Sequence, residues 1–157
     1  MKNLITNEQV ISLAFGDGEY LSSEVVLDSD IASATTRYLI PVVGTELYEE
    51  MLNGSHRPLV EEFVAPALAM AVRTIIQPAL NVHTGQGGLY IPSSARSDTS
   101  IRTTTQALQK SLVRRRQALL RRLSNYLKDN ASEFPSYKAS NDAMQKCRID
   151  GGYVQMY

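Results

Sequence analysis

Cysteine occurs once in this chain, at Cys147, and tryptophan not at all. A single thiol cannot close an intrachain disulfide, which excludes a disulfide scaffold and fits a reducing compartment. The missing tryptophan and an aromatic content of 7% argue against an aromatic-lined ligand pocket. No run of about 18 apolar residues is present, so no membrane-spanning helix is expected. The first residues, Met1 to Glu8, lack the apolar stretch of a signal peptide and include an early acid, which points to a cytosolic origin. What remains is 157 residues with 43% hydrophobic content, enough for one domain with a real core.

Signals for catalysis are equally sparse. His56 and His83 are the only histidines, each in a predicted loop with no cysteine or acid at ligand spacing. A metal site needs three or four convergent ligands, so both are read as surface residues and neither a metal nor a cofactor is expected. Gly85-Gln86-Gly87-Gly88 lacks the Gly-Lys-Ser/Thr ending of a phosphate loop and follows a helix rather than a strand. No Gly-x-Ser-x-Gly elbow is present. Lys146 and Arg148 flank Cys147 and could lower its pKa, but no histidine partner is evident. The pairs Glu49-Glu50 and Glu61-Glu62 are adjacent on predicted helices and point in different directions. The reading is a non-enzyme.

Charge is where the sequence is informative. The net charge is zero, yet residues 1–62 hold three bases and eleven acids (3 − 11 = −8), and residues 63–157 hold thirteen bases and five acids (13 − 5 = +8). Such a split can be satisfied within one chain, between copies packed head to tail, or by an outside acidic partner.

The periodicity predicts an all-α fold, a compact bundle of about five helices. Thr6-Asn7-Glu8-Gln9 reads as a capping box opening a short helix through Ala14. Asp28 or Ser29 caps a second helix with Ile31, Ala34, Thr35, Tyr38 and Leu39 on its apolar face, stopped by Pro41 and Gly44. Thr45 caps a third, from Glu46 to Leu52, closed by Asn53-Gly54. From Leu59 to about Leu80 the chain is apolar on most sides, as a central helix would be, with a kink or break expected at Pro66 and Pro78. Residues 82–100 read as an extended loop, a length uncommon in a small domain. A long helix follows from about Ser100 to Leu127 with Asn130 as its cap. Asp150-Gly151-Gly152 and the alternating residues after it predict a short β-like tail. The expected organisation is a helical domain over 1–137 and an interaction tail over 138–157.

On a helical wheel of the long helix, Ile101, Thr105, Leu108, Leu112, Leu119, Leu123 and Tyr126 form one face, with Leu127 at its edge. Lys110, Arg114, Arg121 and Lys128 lie opposite, and Arg115 and Arg122 flank the stripe. The basic face can be a solvated surface, a contact for an acidic protein, or a phosphate-binding stripe. Neutral net charge and the absence of aromatics among the arginines weigh against nucleic acid. Arg116 falls inside the apolar face. An unpaired buried charge costs about 3–5 kcal/mol. Arg116 is therefore expected to meet a carboxylate such as Glu46, Glu49, Glu50, Glu61 or Glu62 in its own chain, to meet one across a subunit interface, or to be exposed.

Several segments in order resemble the head–tail connector (adaptor, head-completion) proteins of tailed phages, in particular those of gut Bacteroidetes phages and prophages. They are Ile31 to Tyr48 with its Pro41 and Gly44, the apolar helix after Pro58, and the long helix ending in Leu127-Lys128-Asp129-Asn130 before Phe134-Pro135-Ser136-Tyr137. The resemblance implies a small helical virion protein, made in the host cytoplasm and placed at the head–tail junction. It implies a ring, commonly of twelve copies, that docks on the portal protein and on further tail proteins while DNA passes through its channel. Loop and tail contacts in such proteins fall here on residues 82–100, with Tyr90, and on the end of the chain, with Tyr153 and Tyr157. The basic stripe is heavier than a sliding channel needs, which places Arg114 and Arg121 on a protein-facing side. The alternative is a small helical nucleic-acid-associated protein that uses the Arg-rich helix on phosphates.

Overall fold

The computed structural model describes residues 3–16, 21–81, 83–85, 88–90, 98–146, 148–150 and 153–155. Seven α-helical segments are described: α1 (Asn7–Ala14), α2 (Asp28–Ala34), α3 (Ile40–Val43), α4 (Thr45–Leu52), α5 (Arg57–Leu59), α6 (Ala65–Leu80) and α7 (Asp98–Asp129). Two of the junctions are not breaks. A π-turn over Thr35–Leu39 joins α2 to α3, and another over Val60–Val64 joins α5 to α6. Among the described residues the segments therefore make five rods, the all-α bundle the periodicity predicts.

The expectation that Pro41 stops the second helix is corrected, and of the kink or break expected at Pro66 and Pro78 no break occurs. Proline lacks an N–H, and its ring clashes with the carbonyl four residues back. Ahead of Pro41, Ile40 N–H reaches Thr35 O, and ahead of Pro66, Ala65 N–H reaches Val60 O. Each i→i−5 bond widens the turn and gives the ring room, so the helix continues. Pro78 lies in the last turn of α6, where the carbonyl four residues back is that of Thr74. Gln109 of α7 donates its Nε2 to that oxygen at 3.1 Å, replacing the missing donor. The second rod ends at Gly44, whose φ of 84° is open to glycine and closed to most other residues.

Of the helix caps read from the sequence, the first is as expected and the next two are each shifted by one residue or more. Thr6 Oγ1 accepts from Gln9 N–H and Gln9 Oε1 accepts from Thr6 N–H, the reciprocal capping box of α1. Asp30 performs half of that device for α2 by accepting from Leu27 N–H, so Leu27 and not Asp28 or Ser29 is the cap residue. The cap of α4 is likewise Gly44 rather than Thr45.

The core is built around α6. Ala65, Ala67, Leu68, Ala69, Met70, Ala71, Val72 and Ile76 are buried, and α1, α2 and α7 all pack against this helix. The small side chains let neighbouring backbones approach closely while Leu68 and Met70 fill the gaps. Residues 131–146 then fold back as a string of turns onto α7 and α3, with Phe134 and Tyr137 entering the core. The tail expected to begin at 138 thus starts inside the packed body, because Asp142 is held there (below).

The span 82–100, read as a loop, contains two paired strands, β1 (His83–Gly85) and β2 (Gly88–Tyr90), and α7 already begins at Asp98. Near the C-terminus β3 (Arg148–Asp150) pairs antiparallel with β4 (Tyr153–Gln155), in keeping with the expected β-like tail. Among the described residues no helix is long and apolar enough to cross a membrane.

Candidate interaction surface

α7 is a 32-residue helix, about 48 Å long at 1.5 Å per residue. From Thr99 to Lys128 it carries eight bases and no acid. Leu112, Leu120, Leu123, Ser124 and Leu127 are buried against the body. Leu108, expected in the stripe, is 36% exposed. The contact face is rotated toward Leu120 and Ser124, because residues 131–146 dock on that side, and this leaves Leu108 at the rim. Lys110, Arg114, Arg115, Arg121, Arg122 and Lys128 are all exposed, as the wheel predicts.

Arg116 is half-buried within the apolar face. Its partner is not a carboxylate. The guanidinium carbon sits 4.0 Å from the centroid of the Tyr38 ring, on the π-turn that leads to α3. The Nε atom is buried with no hydrogen-bond partner among the described residues. An aromatic face attracts a cation without fully desolvating it, so ring and stem together accommodate a charge that the wheel places among leucines.

Four of the five acids proposed as its partners are engaged elsewhere, and Glu49 is exposed. Glu46 binds Lys138 at 3.0 Å, Glu61 binds Arg57 at 3.4 Å, and Glu62 binds Arg122 at 3.3 Å. All three pairs are exposed, and each contributes about 1 kcal/mol or less. Arg122 also lies 4.7 Å over Phe63, which stacks on Tyr126 at 4.2 Å between centroids. Glu50 accepts from Ser136 Oγ and lies 3.2 Å from His56 Nε2. The Ser136 bond, with His56 added and partial burial opposing, holds the Glu50 carboxyl below the ordinary glutamate value of 4.5. His56, read as a plain surface residue, is instead half-buried against Phe134, with a left-handed backbone at φ 55°. The charge split is thus partly spent on tying the C-terminal segment and α7 to α4–α6.

Several exposed acids have no cation among the described residues: Glu49 on α4, Asp129 at the end of α7, Glu133 just after it, and three near the N-terminus. Glu8 on α1, Glu24 on the 3₁₀ turn Ser23–Val25, and Asp28 at the start of α2 are exposed. Glu8 and Asp28 line one open hollow of 490 Å³ with Asn3, Thr6 and Ser23. Val25 and Leu27, 40% and 58% exposed, stand in the same segment. The α1–α2 layer and α7 both pack on α6, and no ion pair among the described residues joins Glu8, Glu24 or Asp28 to a base of α7.

Two buried polar centres escaped the sequence reading. Asp142, 1% exposed, accepts from Ser124 Oγ (2.6 Å), Tyr137 Oη (2.7 Å) and Met144 N–H (2.7 Å). Burial, reinforced by the Asp142 hydrogen bond and charge, pushes the Tyr137 hydroxyl well above its usual range. Arg73, in mid-α6, donates to the carbonyl of Ala14 at the end of α1 and to Gln77 Oε1, and stacks 4.3 Å from the Phe15 ring. A cation at a helix C-terminus is favoured by the helix dipole. The wheel argument that singles out Arg116 applies equally to Arg73, the one base within the apolar run from Phe63 to Leu80.

Of the remaining expected contact residues, Tyr90 pairs with His83 and Tyr153 with Asp150 in their strands, while Tyr157 lies outside the described residues, as does Cys147. Among the described residues no group of three or more His, Cys, Asp or Glu could hold a metal ion. One cavity of 570 Å³ opens between the N-terminal segment and α4–α5, where the Arg57–Glu61 pair occupies its charged groups with each other. No characterised protein and no solved structure matches the chain. A family model does match, over residues 24–146, and the chain belongs to that family, DUF6712, a family of unknown function.

Proposed function

We propose that this protein is a non-enzymatic structural subunit of a phage head–tail connector ring. It packs head to tail with copies of itself and docks on the portal protein, extending the channel through which DNA leaves the head. The reading combines the order-of-elements resemblance with one observation: Glu8, Glu24 and Asp28 on the α1–α2 layer and Lys110, Arg114 and Arg115 on α7 are exposed and without an ion pair among the described residues. A chain that carries surfaces of opposite charge left without ion pairs is suited to a heterologous interface, and such interfaces close into rings when the rotation permits. Mass photometry and size-exclusion chromatography, with and without the portal protein, test it. A ring-sized or portal-bound species is expected. A protein that stays monomeric and ignores the portal refutes it.

The acid-free exposed face of α7 favours a second reading, phosphate binding by a small nucleic-acid-associated protein. Tight DNA binding with a steep dependence on salt would mark that alternative.

A further inference from the structure

The exposed half of α7 carries its bases in two rows. Lys110, Arg114, Arg121 and Lys128 fall within about 40° of one line along the helix, and Arg115 and Arg122 lie about 110° round from it. All six are exposed. The strip between the rows holds Ala107, Ser111, Ala118 and Asn125, exposed and short. No acid occurs from Thr99 to Lys128. Two acids reach the rim: Glu62 pairs with Arg122 at 3.3 Å, and Asp129 shares an open hollow with Arg121 and Arg122. The exposed apolar residue Leu108 stands outside the strip, beyond the Arg115 row.

This arrangement discriminates between partners. The centre of a protein contact is apolar and poor in charge, and a strip of methyl, hydroxyl and amide groups between cations does not supply one. A single nucleic-acid strand is held by bases stacking on rings. The one ring on α7, Tyr126, is half-buried and stacked on Phe63 at 4.2 Å, and Phe63 also carries Arg122 at 4.7 Å. Two rows of cations about a slim strip match a groove walled by phosphates. The major groove of B-form DNA, about 12 Å wide, admits an α-helix of about 10–12 Å diameter, whereas that of A-form RNA is too narrow. Zero net charge on the chain does not oppose this, because exposed charges further apart than about 8 Å are screened from one another at physiological salt.

We infer that the exposed half of α7 lies in the major groove of duplex DNA. Lys110, Arg114, Arg121 and Lys128 meet the phosphates of one wall, and Arg115 and Arg122 those of the other. Ala107, Ser111 and Ala118 face the floor and let the helix approach. The Arg122–Glu62 pair is exposed, so a phosphate can take the place of the carboxylate. This deepens the phosphate-binding reading of α7, on which it rests, and is independent of ring assembly.

The experiment is fluorescence anisotropy of a labelled DNA duplex titrated with the full chain over a salt series, with circular dichroism as the folding control. Six phosphate contacts predict that affinity falls about 10³-fold between about 50 and 200 mM salt. Lys110→Gln with Arg114→Gln removes two of them and should cut that fall to about 150-fold, as four contacts predict. Arg114→Lys, which keeps the charge, should retain the wild-type salt slope. Ala118→Glu puts a carboxylate on the strip and is expected to weaken binding by about tenfold or more. Arg57→Gln with Lys138→Gln, the same change of charge elsewhere, should leave the slope unchanged. Binding that neither the Lys110, Arg114 variant nor Ala118→Glu alters overturns the groove assignment while leaving phosphate binding through another surface. Duplex RNA or single-stranded DNA of the same sequence bound as tightly also overturns it. A wild-type chain that binds no duplex DNA at low salt overturns both the assignment and the phosphate-binding reading.

Discussion

Replacing Arg116 by methionine distinguishes two accounts of the same side chain. A carboxylate-paired arginine inside an apolar face would leave an uncompensated buried charge when cut, at about 3–5 kcal/mol. The observed environment is different: a ring at 4.0 Å and an Nε with no partner. The contact with Tyr38 stabilises by about 0.5–2 kcal/mol. The unsatisfied Nε–H opposes it by about 1–3 kcal/mol. Methionine keeps the unbranched stem, removes the orphaned donor and replaces the cation by a sulfur, whose contact with a ring contributes about 0.3–1.5 kcal/mol. Arg116→Met should therefore leave stability within about 1 kcal/mol of wild type, or raise it. The assay is urea unfolding, compared at constant m, with a double-mutant cycle against Tyr38→Leu. The cycle should give a coupling of about 0.5–2 kcal/mol. A loss of about 3 kcal/mol or more in Arg116→Met would refute the reasoning and restore the buried-ion-pair account.

Asp142→Ala removes the acceptor of three hydrogen bonds and should cost about 3 kcal/mol or more, with amide exchange at Ala143 and Met144 accelerating first; a loss under about 1 kcal/mol would refute the role given to these bonds in holding residues 131–146. Glu50 has a folded-state pKa below its unfolded value of 4.5, so its stabilisation is complete above that pH and is lost as pH falls through the lowered value. The gap in urea midpoint between wild type and Glu50→Gln should accordingly close on acidification below 4.5, and a gap that stays constant would count against the Ser136 contact. Tyr137 has the opposite sense: its folded-state pKa is raised above 10.0, so its stabilisation is present below that value and is lost as pH rises beyond it. The stability advantage of wild type over Asp142→Asn in urea unfolding should therefore shrink as pH rises above 10.0, and an advantage that stays constant would count against the Tyr137–Asp142 contact. Arg122→Ala, which cuts an exposed pair with Glu62, should change stability by about 1 kcal/mol or less in a thermal melt.

Sequence alone determined what depends on neighbours a few residues apart. The capping box of Thr6 and Gln9, the wheel of α7 with its exposed bases, the anomalous position of Arg116 and the central role of the apolar helix all follow from helical period and short-range hydrogen bonding. Only the tertiary structure decided which partner each of these features meets. Pro78 is tolerated because Gln109, 35 residues away from Thr74, supplies the missing donor, and Asp142 is neutralised by no cation but by hydroxyls and an amide brought together by the fold-back of residues 131–146. Arg73 reaches a carbonyl 59 residues distant. The charge split itself was legible as a count, yet which charges pair, as Glu46 does with Lys138 and Glu62 with Arg122, depends on how α4–α6 pack against α7 and residues 131–146. Hydrogen bonds and ion pairs act over a few ångströms, and a linear pattern carries no information about which distant groups the packed core brings within that range.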